Sequence, residues 1–391
     1  MVERKKRPKG KVIVGMSGGV DSSVALLQLV ERGYEPVGVS LQYKTWQCPG
    51  VKNAENVCCS QESFQIAKKI CQRFQVPHYI IDVAPYFQSE VIDYFTDELR
   101  QSRTPSPCVF CNRNLKFRKL LEFAKRVGAK YVATGHYARI SKNPQSGLFE
   151  LKVAKDKNKD QTYSLCFLPQ EYLERIIFPL GNLTKDEVYQ IAKKQKGFEI
   201  YEKRKQSQDF CFIQNDLMEK FLTKEVGEKK GRIVSEDGQK LGEHKGLHFY
   251  TIGQRKGIKL PGGPYYVIEK DTQTNTLIVS KDKSSGLKKE ILLSPVFFNS
   301  GKFLNKKIKI ETKIRSTQPL VEAEIGPVGK NKVKLTFSKP QPAVTPGQIA
   351  VFYLPAAPPA QLVQAGLPAD ALLQVMQAGK GEVCLGGGVI N

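Results

Sequence analysis

The sequence has 391 residues, a length that predicts two or three domains. Lysine and arginine total 61 against 38 aspartates and glutamates, and the formal net charge of +23 favours a polyanionic partner such as nucleic acid. The alternative is a lysine-rich surface that only keeps the chain soluble. No apolar run approaches the ~18 residues of a membrane helix, and no signal-peptide apolar segment follows the basic N-terminus. We therefore expect a cytoplasmic protein with no membrane partner, in which nine cysteines do not form a disulfide scaffold.

Short β-rich runs alternate with helical patterns from residue 11 to about residue 140, which predicts βαβ units and a parallel sheet. The predicted strands are residues 12–14, 36–41, 79–81 and 131–133. The predicted helices cover residues 24–30, 64–70 and 115–127. We assign this α/β fold to a catalytic first domain at residues 1–211.

After about residue 210 the pattern changes to short strands separated by Gly, Asp and Asn turns, at residues 231–234, 265–268 and 276–279. This pattern predicts a small mixed linker domain at residues 212–288. Residues 307–310 and 333–337 then alternate polar and apolar side chains, as the strands of a small antiparallel barrel do. We therefore place a C-terminal β-barrel at residues 289–391.

Residues 355–379 differ in composition from the barrel strands on either side of them. They are rich in Ala, Pro, Gln and Leu, and Asp370 is their only charged residue. We interpret them as an insertion in the barrel, with a short predicted helix at residues 370–376 and no chemistry of their own.

The first predicted strand leads into Ser-Gly-Gly-Val-Asp-Ser-Ser at residues 17–23, and an apolar helix follows. The two glycines permit tight backbone turns, and successive N–H groups together with the helix N-terminus attract a phosphate. Asp21 can help to hold Mg²⁺. The competing interpretation is a glycine-rich turn capped by serine, but the flanking strand and helix favour a nucleotide site. The loop resembles that of the PP-loop ATP pyrophosphatases, which cleave ATP between its α and β phosphates and adenylate an oxygen of the substrate.

A second motif, Cys108-Val-Phe-Cys111, lies on a proline-rich loop that opens into a helix. Such a position predicts a pair of thiols with low pKa values, and the same spacing supplies two ligands of a metal site. A structural zinc site would need a second Cys-x-x-Cys pair, and the sequence contains none. The third candidate thiol is Cys211, in the stretch 207–213.

Together these stretches resemble the tRNA-specific 2-thiouridylases (the MnmA/TrmU family), and the similarity runs along the whole chain. Further motifs in the same order support the resemblance, at residues 133–139, 156–163, 250–257, 343–348 and 385–388. The resemblance implies that ATP adenylates the C2 oxygen of uridine 34 in a tRNA anticodon, because an oxygen that carries phosphate becomes a leaving group. A sulfur nucleophile then attacks C2, AMP leaves, and 2-thiouridine forms. The sulfur would come from a donor protein such as a cysteine desulfurase relay.

The resemblance also implies which residues form the site. Cys211 would carry the incoming sulfur as a persulfide, and Cys111 would be the partner nucleophile. Contacts to ATP fall on the loop and on two strand ends, at Gly15, Met16, Ser17, Gly18, Gly19, Val20, Asp21, Ser22, Leu41 and Gly135. Contacts to tRNA fall on Ser106, Pro107, Cys108, His136, Lys159, Asp160, Gln161, Arg315, Ser316 and Gln348.

Cys108 departs from the better-known family pattern, in which an aspartate stands at this position. Cys108, Cys111 and Cys211 could therefore hold a [4Fe–4S] cluster with one iron open to sulfide. Zinc on the same ligands and a simple redox pair are the alternatives. Two other functions compete: a PP-loop ligase that acts on a small molecule, which the net charge disfavours, and a non-catalytic RNA-binding protein with a structural metal. The second predicts tRNA binding without ATP-dependent release of pyrophosphate.

Overall fold

The computed structural model describes residues 9–43, 60–203, 211–213, 217–355 and 382–391. The chain divides into two compact units. Unit 1 comprises Met1–Val91 and Cys108–Leu217, and unit 2 comprises Ile92–Pro107 and Met218–Asn391. The helix predicted at residues 370–376 lies outside the described residues. Within the described residues, no helix is both long enough and apolar enough to cross a membrane.

The strands are β1 Lys11–Gly15, β2 Glu35–Gln42, β3 His78–Asp82, β4 Tyr131–Ala133, β5 Arg139–Lys142, β6 Phe149–Lys152, β7 Ile176–Ile177, β8 Gly231–Ser235, β9 Lys240–His244, β10 Tyr266–Asp271, β11 Thr276–Ser280, β12 Lys288–Phe298, β13 Ile308–Lys313, β14 Val321–Gly329, β15 Lys332–Gln341, β16 Ile349–Tyr353 and β17 Val383–Ile390. The α-helices are α1 Val20–Glu31, α2 Gln61–Arg73, α3 Ala84–Phe87, α4 Tyr94–Arg100, α5 Pro107–Phe110, α6 Arg118–Arg126, α7 Thr162–Leu165, α8 Gln170–Leu173, α9 Lys185–Lys193, α10 Ile200–Lys203 and α11 Met218–Glu225. Helical stretches of other geometry are the π-helical Gln88–Asp93 and Cys111–Phe117 and the 3₁₀ turn Leu247–Phe249.

Unit 1 contains a parallel sheet with the strand order β3-β2-β1-β4-β7. The central strand is apolar throughout Val12–Val14 because it is buried on both faces, as the strands of a parallel sheet are. Helices α1, α2 and α9 contribute side chains to its core, among them Leu26, Ile66 and Val188. Because β1 and β4 are parallel neighbours, the loop after β1 and the residues after β4 lie at the same edge of the sheet.

The α/β prediction for this region is confirmed, with differences at the ends of elements. All four predicted strands are present, whereas the two-residue strand β7 and the antiparallel hairpin β5–β6 were not predicted. The helix predicted at residues 115–127 is observed as α6, and the π-helical stretch from Cys111 precedes it. A wide helical turn has no signature in the apolar spacing, so the sequence pattern could not indicate it.

Unit 2 contains two sheets. The smaller has the order β10-β11-β8-β9, in which β8 and β11 are parallel and the other pairs are antiparallel. The larger is a closed antiparallel barrel of β12, β15, β14, β13, β16 and β17, which β12 and β17 close. Along β15, Val333, Leu335 and Phe337 are fully buried in the barrel core, and the residues between them are more exposed. The predicted mixed domain and C-terminal β-barrel are thus confirmed as a fold class.

Candidate active site

The loop between β1 and α1 is folded around its own serine hydroxyls. The Ser22 hydroxyl donates to the Gly19 carbonyl at 3.0 Å and accepts from the Ser17 N–H at 3.3 Å. The Gly19 N–H reaches the Ser17 hydroxyl at 3.4 Å, and the Ser23 hydroxyl also donates to the Gly19 carbonyl, at 3.2 Å. These bonds hold the chain in a tight turn directly before the N-terminus of a twelve-residue helix, where an anion is favoured.

Gly18 is required by the geometry of this turn. Its φ is +74°, in the left-handed region, and a Cβ placed on it would collide with the Ser63 carbonyl oxygen. Its neighbour Gly19 is the N-cap of α1 and has no side chain to occupy the space in front of the helix. The sequence prediction that the two glycines permit a close backbone turn therefore has a specific physical cause at Gly18.

The end of β4 approaches the start of α1 at Gly135. A Cβ on Gly135 would lie 2.7 Å from both the Asp21 carbonyl carbon and the Ser22 nitrogen. On the other side of the loop, the Met16 carbonyl accepts from the Ser40 hydroxyl at 2.8 Å, next to the buried Leu41 in β2. The structure therefore brings the predicted ATP-contact residues from β1, β2 and β4 to one edge of the sheet.

Asp21 is engaged by two side chains that sequence reasoning did not select. The Lys185 ammonium donates to both carboxylate oxygens, at 2.6 and 2.8 Å, and the Tyr137 hydroxyl donates to Oδ1 at 2.7 Å. Burial and the Asp21 carboxylate raise the pKa of Tyr137, so the phenol stays protonated and remains a donor. Lys185 is buried although it is a lysine, and its charge is compensated by this ion pair.

A sequence signal for Lys185 existed. It is the first residue of α9, whose N-cap Thr184 forms a reciprocal capping box with Glu187. The Thr-Lys-Asp-Glu pattern predicts a helix start, and a helix start after a short strand of a parallel sheet lies at the ligand-binding edge. The strand in question, β7, has only two residues and is therefore too short to show a strand pattern in the sequence.

The three candidate thiols differ in environment. Cys108 is exposed, Cys111 is buried and Cys211 is partly buried. Burial raises the pKa of Cys111 to about 11, although the charge of Lys116 opposes this shift. The prediction of a low-pKa thiol pair was therefore wrong for Cys111, because loss of solvent around the thiolate outweighs the nearby positive charge.

Cys111 begins the π-helical stretch Cys111–Phe117. A π-helix brings residues five apart onto one face, which an α-helix does not, so Lys116 shares the face of Cys111. The next residue, Asn112, is buried and donates from Nδ2 to the Ser164 carbonyl at 2.9 Å. This bond ties the stretch that carries Cys111 to α7.

The positions of these thiols decide whether they could share a metal ion. Among the residues that the structure describes, no three His, Cys, Asp or Glu side chains are placed together to hold a metal ion. The different exposures of Cys108, Cys111 and Cys211 agree with this. As placed, the three cysteines do not fit a [4Fe–4S] cluster. The cluster stays a prediction, and so does zinc on the same ligands.

His136 follows Gly135 and lies between aromatic rings. Its ring centroid is 5.8 Å from that of Phe117 and 6.0 Å from that of Phe178, and its Nδ1 is 2.7 Å from the Thr134 hydroxyl. Burial and the charge of Lys116 hold the pKa of His136 well below its usual range. The imidazole is therefore neutral at pH 7. It can donate one hydrogen bond and accept another, but it carries no positive charge that would attract a phosphate.

The predicted tRNA-contact residues 159–161 form part of a loop with internal bonds. The Gln161 side-chain oxygen accepts from the Tyr137 N–H at 2.9 Å, and the Gln161 N–H donates to the Tyr137 carbonyl at the same distance. Asp160 accepts from the Ala154 N–H at 3.0 Å. Gln161 thus joins this loop to the residue whose hydroxyl holds Asp21, while the contact of these residues with tRNA stays a prediction.

The remaining predicted tRNA-contact residues belong to unit 2, where Arg315 and Gln348 have polar partners. Nη2 of Arg315 donates to the Ile252 and Ala343 carbonyls and, at 2.7 Å, to the Thr345 hydroxyl. Nε2 of Gln348 donates to the backbone carbonyls of two residues in the segment before Cys108, and Ser316 is exposed. In that segment Ser106 is half-buried and Pro107 is buried. Arg315 and Gln348 therefore hold backbone in place, whatever their role toward tRNA.

Comparison with known proteins assigns the chain to a family. The family models described as tRNA methyl transferase HUP domain, tRNA methyl transferase PRC-barrel domain and Aminomethyltransferase beta-barrel domain match residues 10–215, 219–281 and 288–356. A curated relative in Clostridium perfringens, the tRNA-specific 2-thiouridylase MnmA, is 41% identical over 88% of this chain and 95% of its own length. The chain belongs to the tRNA-specific 2-thiouridylase family. The MnmA of Halothermothrix orenii is 42% identical over the same shares of the two chains. The predicted family is therefore confirmed.

The similarity to a solved tRNA thiolase is too low to support a functional assignment. The U34-tRNA thiolase NcsA from Methanococcus maripaludis, solved with its [4Fe-4S] cluster, is 16% identical, covers 56% of this chain and 68% of its own, and has a TM-score of 0.31. At this low similarity, the cluster of NcsA is not evidence for a cluster on the cysteines of this member of the 2-thiouridylase family.

Proposed function

We propose that this protein is an ATP-dependent tRNA sulfurtransferase that converts uridine 34 to 2-thiouridine, with AMP and pyrophosphate as the other products. The observation that carries the proposal is a phosphate-binding loop in the same unit as Cys111 and Cys211, in a chain that belongs to the 2-thiouridylase family. The cytoplasmic location expected from the sequence stays part of this proposal.

The ATP step uses the edge of the parallel sheet. Without a ligand, the hydroxyls and N–H groups of Ser17–Ser22 bond to one another at the start of α1. The phosphates of ATP would replace these long internal bonds as acceptors, at a helix N-terminus that favours an anion. Gly135 leaves room for close approach at the strand end, and Leu41 supplies an apolar wall for the base. Asp21, whose side chain is 35% exposed, is the residue that would hold Mg²⁺, which would offset phosphate charge. These features support adenylation of a substrate oxygen.

The sulfur step uses the cysteines as thiols. Cys211 would carry sulfur as a persulfide from the donor protein, and Cys111 would be its partner nucleophile. Since burial raises the pKa of Cys111 to about 11, the ligand-free enzyme keeps this thiol protonated at pH 7. A protonated, buried thiol is protected from oxidation until substrate arrives, and Lys116 is the charge that favours its ionisation.

The family-model descriptions name methyl transfer, and the loop discriminates against that chemistry. Hydroxyl and N–H donors in front of a helix N-terminus attract an anionic polyphosphate and have no favourable interaction with a positively charged methyl donor. Adenylation uses the phosphate loop, and sulfur transfer uses the cysteines. Thiolation accounts for both motifs, so it is the function that we propose.

The test is an assay with unmodified tRNA, ATP, Mg²⁺ and a sulfur source, with nucleoside analysis of the product. We expect 2-thiouridine at position 34 with stoichiometric AMP and pyrophosphate. Omission of ATP should abolish the product. Tight tRNA binding without pyrophosphate release would indicate a non-catalytic RNA-binding protein, and a methylated nucleoside would indicate methyl transfer; either result would refute the proposal. Iron and sulfide analysis after anaerobic purification tests the cluster separately.

A further inference from the structure

We infer that Gln348 positions the predicted tRNA-contact residues Ser106 and Pro107 by holding the chain directly before them. The inference rests on the proposed function, because tRNA contact by these residues is part of it. All residues that carry the inference lie in unit 2, in Ile92–Pro107 and in the barrel.

The Gln348 side chain donates hydrogen bonds to backbone carbonyls of the segment that precedes Cys108. Its Nε2 donates to the Thr104 carbonyl at 2.9 Å and lies 3.4 Å from the Pro105 carbonyl. In the same barrel loop, the Pro346 carbonyl accepts from the Thr104 N–H at 2.8 Å. Thr104 is therefore bound to the loop through both of its backbone polar groups, two residues before Ser106.

A second set of bonds fixes the chain on the N-terminal side of Thr104. Arg103 donates from Nη2 to the Ile390 carbonyl at 3.0 Å and forms an ion pair with Glu98 at 2.9 Å, in which both side chains are largely shielded. The Lys270 ammonium donates to the Ser102 carbonyl at 3.0 Å. Three consecutive residues of the segment are thus held in unit 2: Ser102 by β10, Arg103 by β17 and Thr104 by the loop before β16.

The loop and the segment approach each other so closely that glycine is needed. Gly347 has φ +90°, and a Cβ on it would lie 2.9 Å from the Thr104 carbonyl oxygen and 3.0 Å from Oε2 of Glu98. A side chain at this position would push the segment away from the loop. In the sequence Pro-Gly-Gln at 346–348, Pro346 therefore supplies an acceptor, Gly347 permits the close approach and Gln348 supplies a donor.

A non-glycine residue in the left-handed region lies on each side of this contact. Ser102 and Ala343 are non-glycine residues with φ of +60° and +56°. Such conformations persist where the surrounding structure over-determines them, and they are concentrated where a precise chain path is needed. The surroundings do so here, since Ser102 accepts from Lys270 and Ala343 accepts from Arg315 at 3.1 Å.

The experiment compares Gln348→Ala with Gln341→Ala. Gln341 is a matched control because it is a barrel glutamine whose exposed amide bonds only within its own strand region, to the Lys339 carbonyl at 2.8 Å. Hydrogen exchange of the peptide covering residues 99–107 is measured in the full-length protein without tRNA. We expect exchange at Thr104 to be about three- to tenfold faster in Gln348→Ala, since about one net hydrogen bond is lost, and unchanged in the control.

The kinetic measurement separates positioning from contact. We expect Gln348→Ala to lower kcat for thiolation about tenfold while the Kd for tRNA stays within about twofold of wild type. A weakened tRNA Kd with unchanged exchange at Thr104 would mean that Gln348 contacts tRNA directly, and it would overturn the inference. Gln348→Met keeps the length of the side chain and removes only the donor, so it decides the matter if Gln348→Ala does not fold. A wild-type protein that forms no 2-thiouridine would refute the proposed function, whereas the exchange result on the free protein tests the inference alone.

Discussion

The phosphate-binding loop and the cysteines of unit 1 differ in how far they are assembled without ligands. The loop around Gly18 has its turn, its helix N-terminus and its Asp21–Lys185 ion pair in place. Cys108, Cys111 and Cys211 range from exposed to buried, and among the described residues they form no group suited to a metal. A polyphosphate is bound in one form, so its site can be prearranged. A thiol that must first receive sulfur and then deliver it cannot be fixed in a single arrangement.

The largest expected effect comes from removal of the thiols. Cys111→Ser and Cys211→Ser should each lower the rate of 2-thiouridine formation at least about a thousandfold, because a hydroxyl cannot form a persulfide or match a thiolate as nucleophile. The Kd for ATP should stay near that of wild type, since the loop is assembled independently. Cys384→Ser, at a buried thiol in β17, is the control that should keep turnover. Normal turnover in either catalytic variant would contradict the assignment of the thiols.

A change in the phosphate-binding loop should instead weaken the binding of ATP. Gly18→Ala must place a Cβ against the Ser63 carbonyl at a positive φ, so the turn cannot keep its shape. We expect the Kd for ATP to rise at least about a hundredfold and thiolation to fall with it. Gly33→Ala also has a positive φ but no neighbouring atom within reach, so it controls for backbone strain alone. Equal ATP affinity in Gly18→Ala and wild type, by calorimetry, would show that the loop is not the nucleotide site.

The pKa of Cys111 predicts a pH dependence that sharpens the contrast. A pKa raised to about 11 means that the thiolate fraction at pH 7 is about a hundredfold lower than for a thiol at its ordinary value of 9. The rate of alkylation of Cys111, followed by mass spectrometry in a Cys108→Ser background, should therefore rise about tenfold per pH unit and continue to rise beyond pH 9. A plateau below pH 8 would mean that the thiol is activated in the free enzyme. Lys116→Met should slow the alkylation further.

The smallest of these effects concerns Lys185. Lys185→Met leaves the Asp21 carboxylate uncompensated beside the phosphates when Mg²⁺ is absent, and the repulsion should weaken the binding of metal-free ATP about tenfold. AMP carries less charge and should lose less affinity, and Lys185→Arg should recover most of the loss. Isothermal titration of the three proteins with both nucleotides checks this. Equal losses for ATP and AMP would indicate a general disturbance of the sheet edge.

How much the sequence could predict differs between the same two regions. Gly18, Gly19 and Asp21 were identified because a phosphate loop is a local structure, encoded in consecutive residues between a strand and a helix. The contact of Lys185 with Asp21 was missed because it joins positions 164 residues apart, and the helix-start signal at Thr184 does not indicate which loop the helix meets. The environment of Cys111 was predicted wrongly for a related reason, since its pKa depends on burial by residues distant in sequence.

The prediction of the fold was limited in the same way, since only local features could be predicted. The apolar run Val12–Val14 predicted a buried parallel strand, and the alternation around Val333–Phe337 predicted a barrel strand, because each pattern reports the faces of a single strand. The two-residue strand β7 carries no such pattern. The assignment of Ile92–Pro107 to unit 2, between two stretches of unit 1, could not be predicted either. That assignment depends on bonds such as Thr104 to Pro346, which have no local sequence signal.

The most direct measurement of the central claim follows the oxygen that sulfur replaces. A tRNA carrying ¹⁸O at C2 of uridine 34 is incubated with the protein, ATP and a sulfur source, and the AMP is analysed by mass spectrometry. If the phosphate loop supplies an adenylated uridine to the thiols, the ¹⁸O label must appear in the phosphate of AMP, in a ratio of one label to one 2-thiouridine formed. Formation of 2-thiouridine with unlabelled AMP would contradict the account.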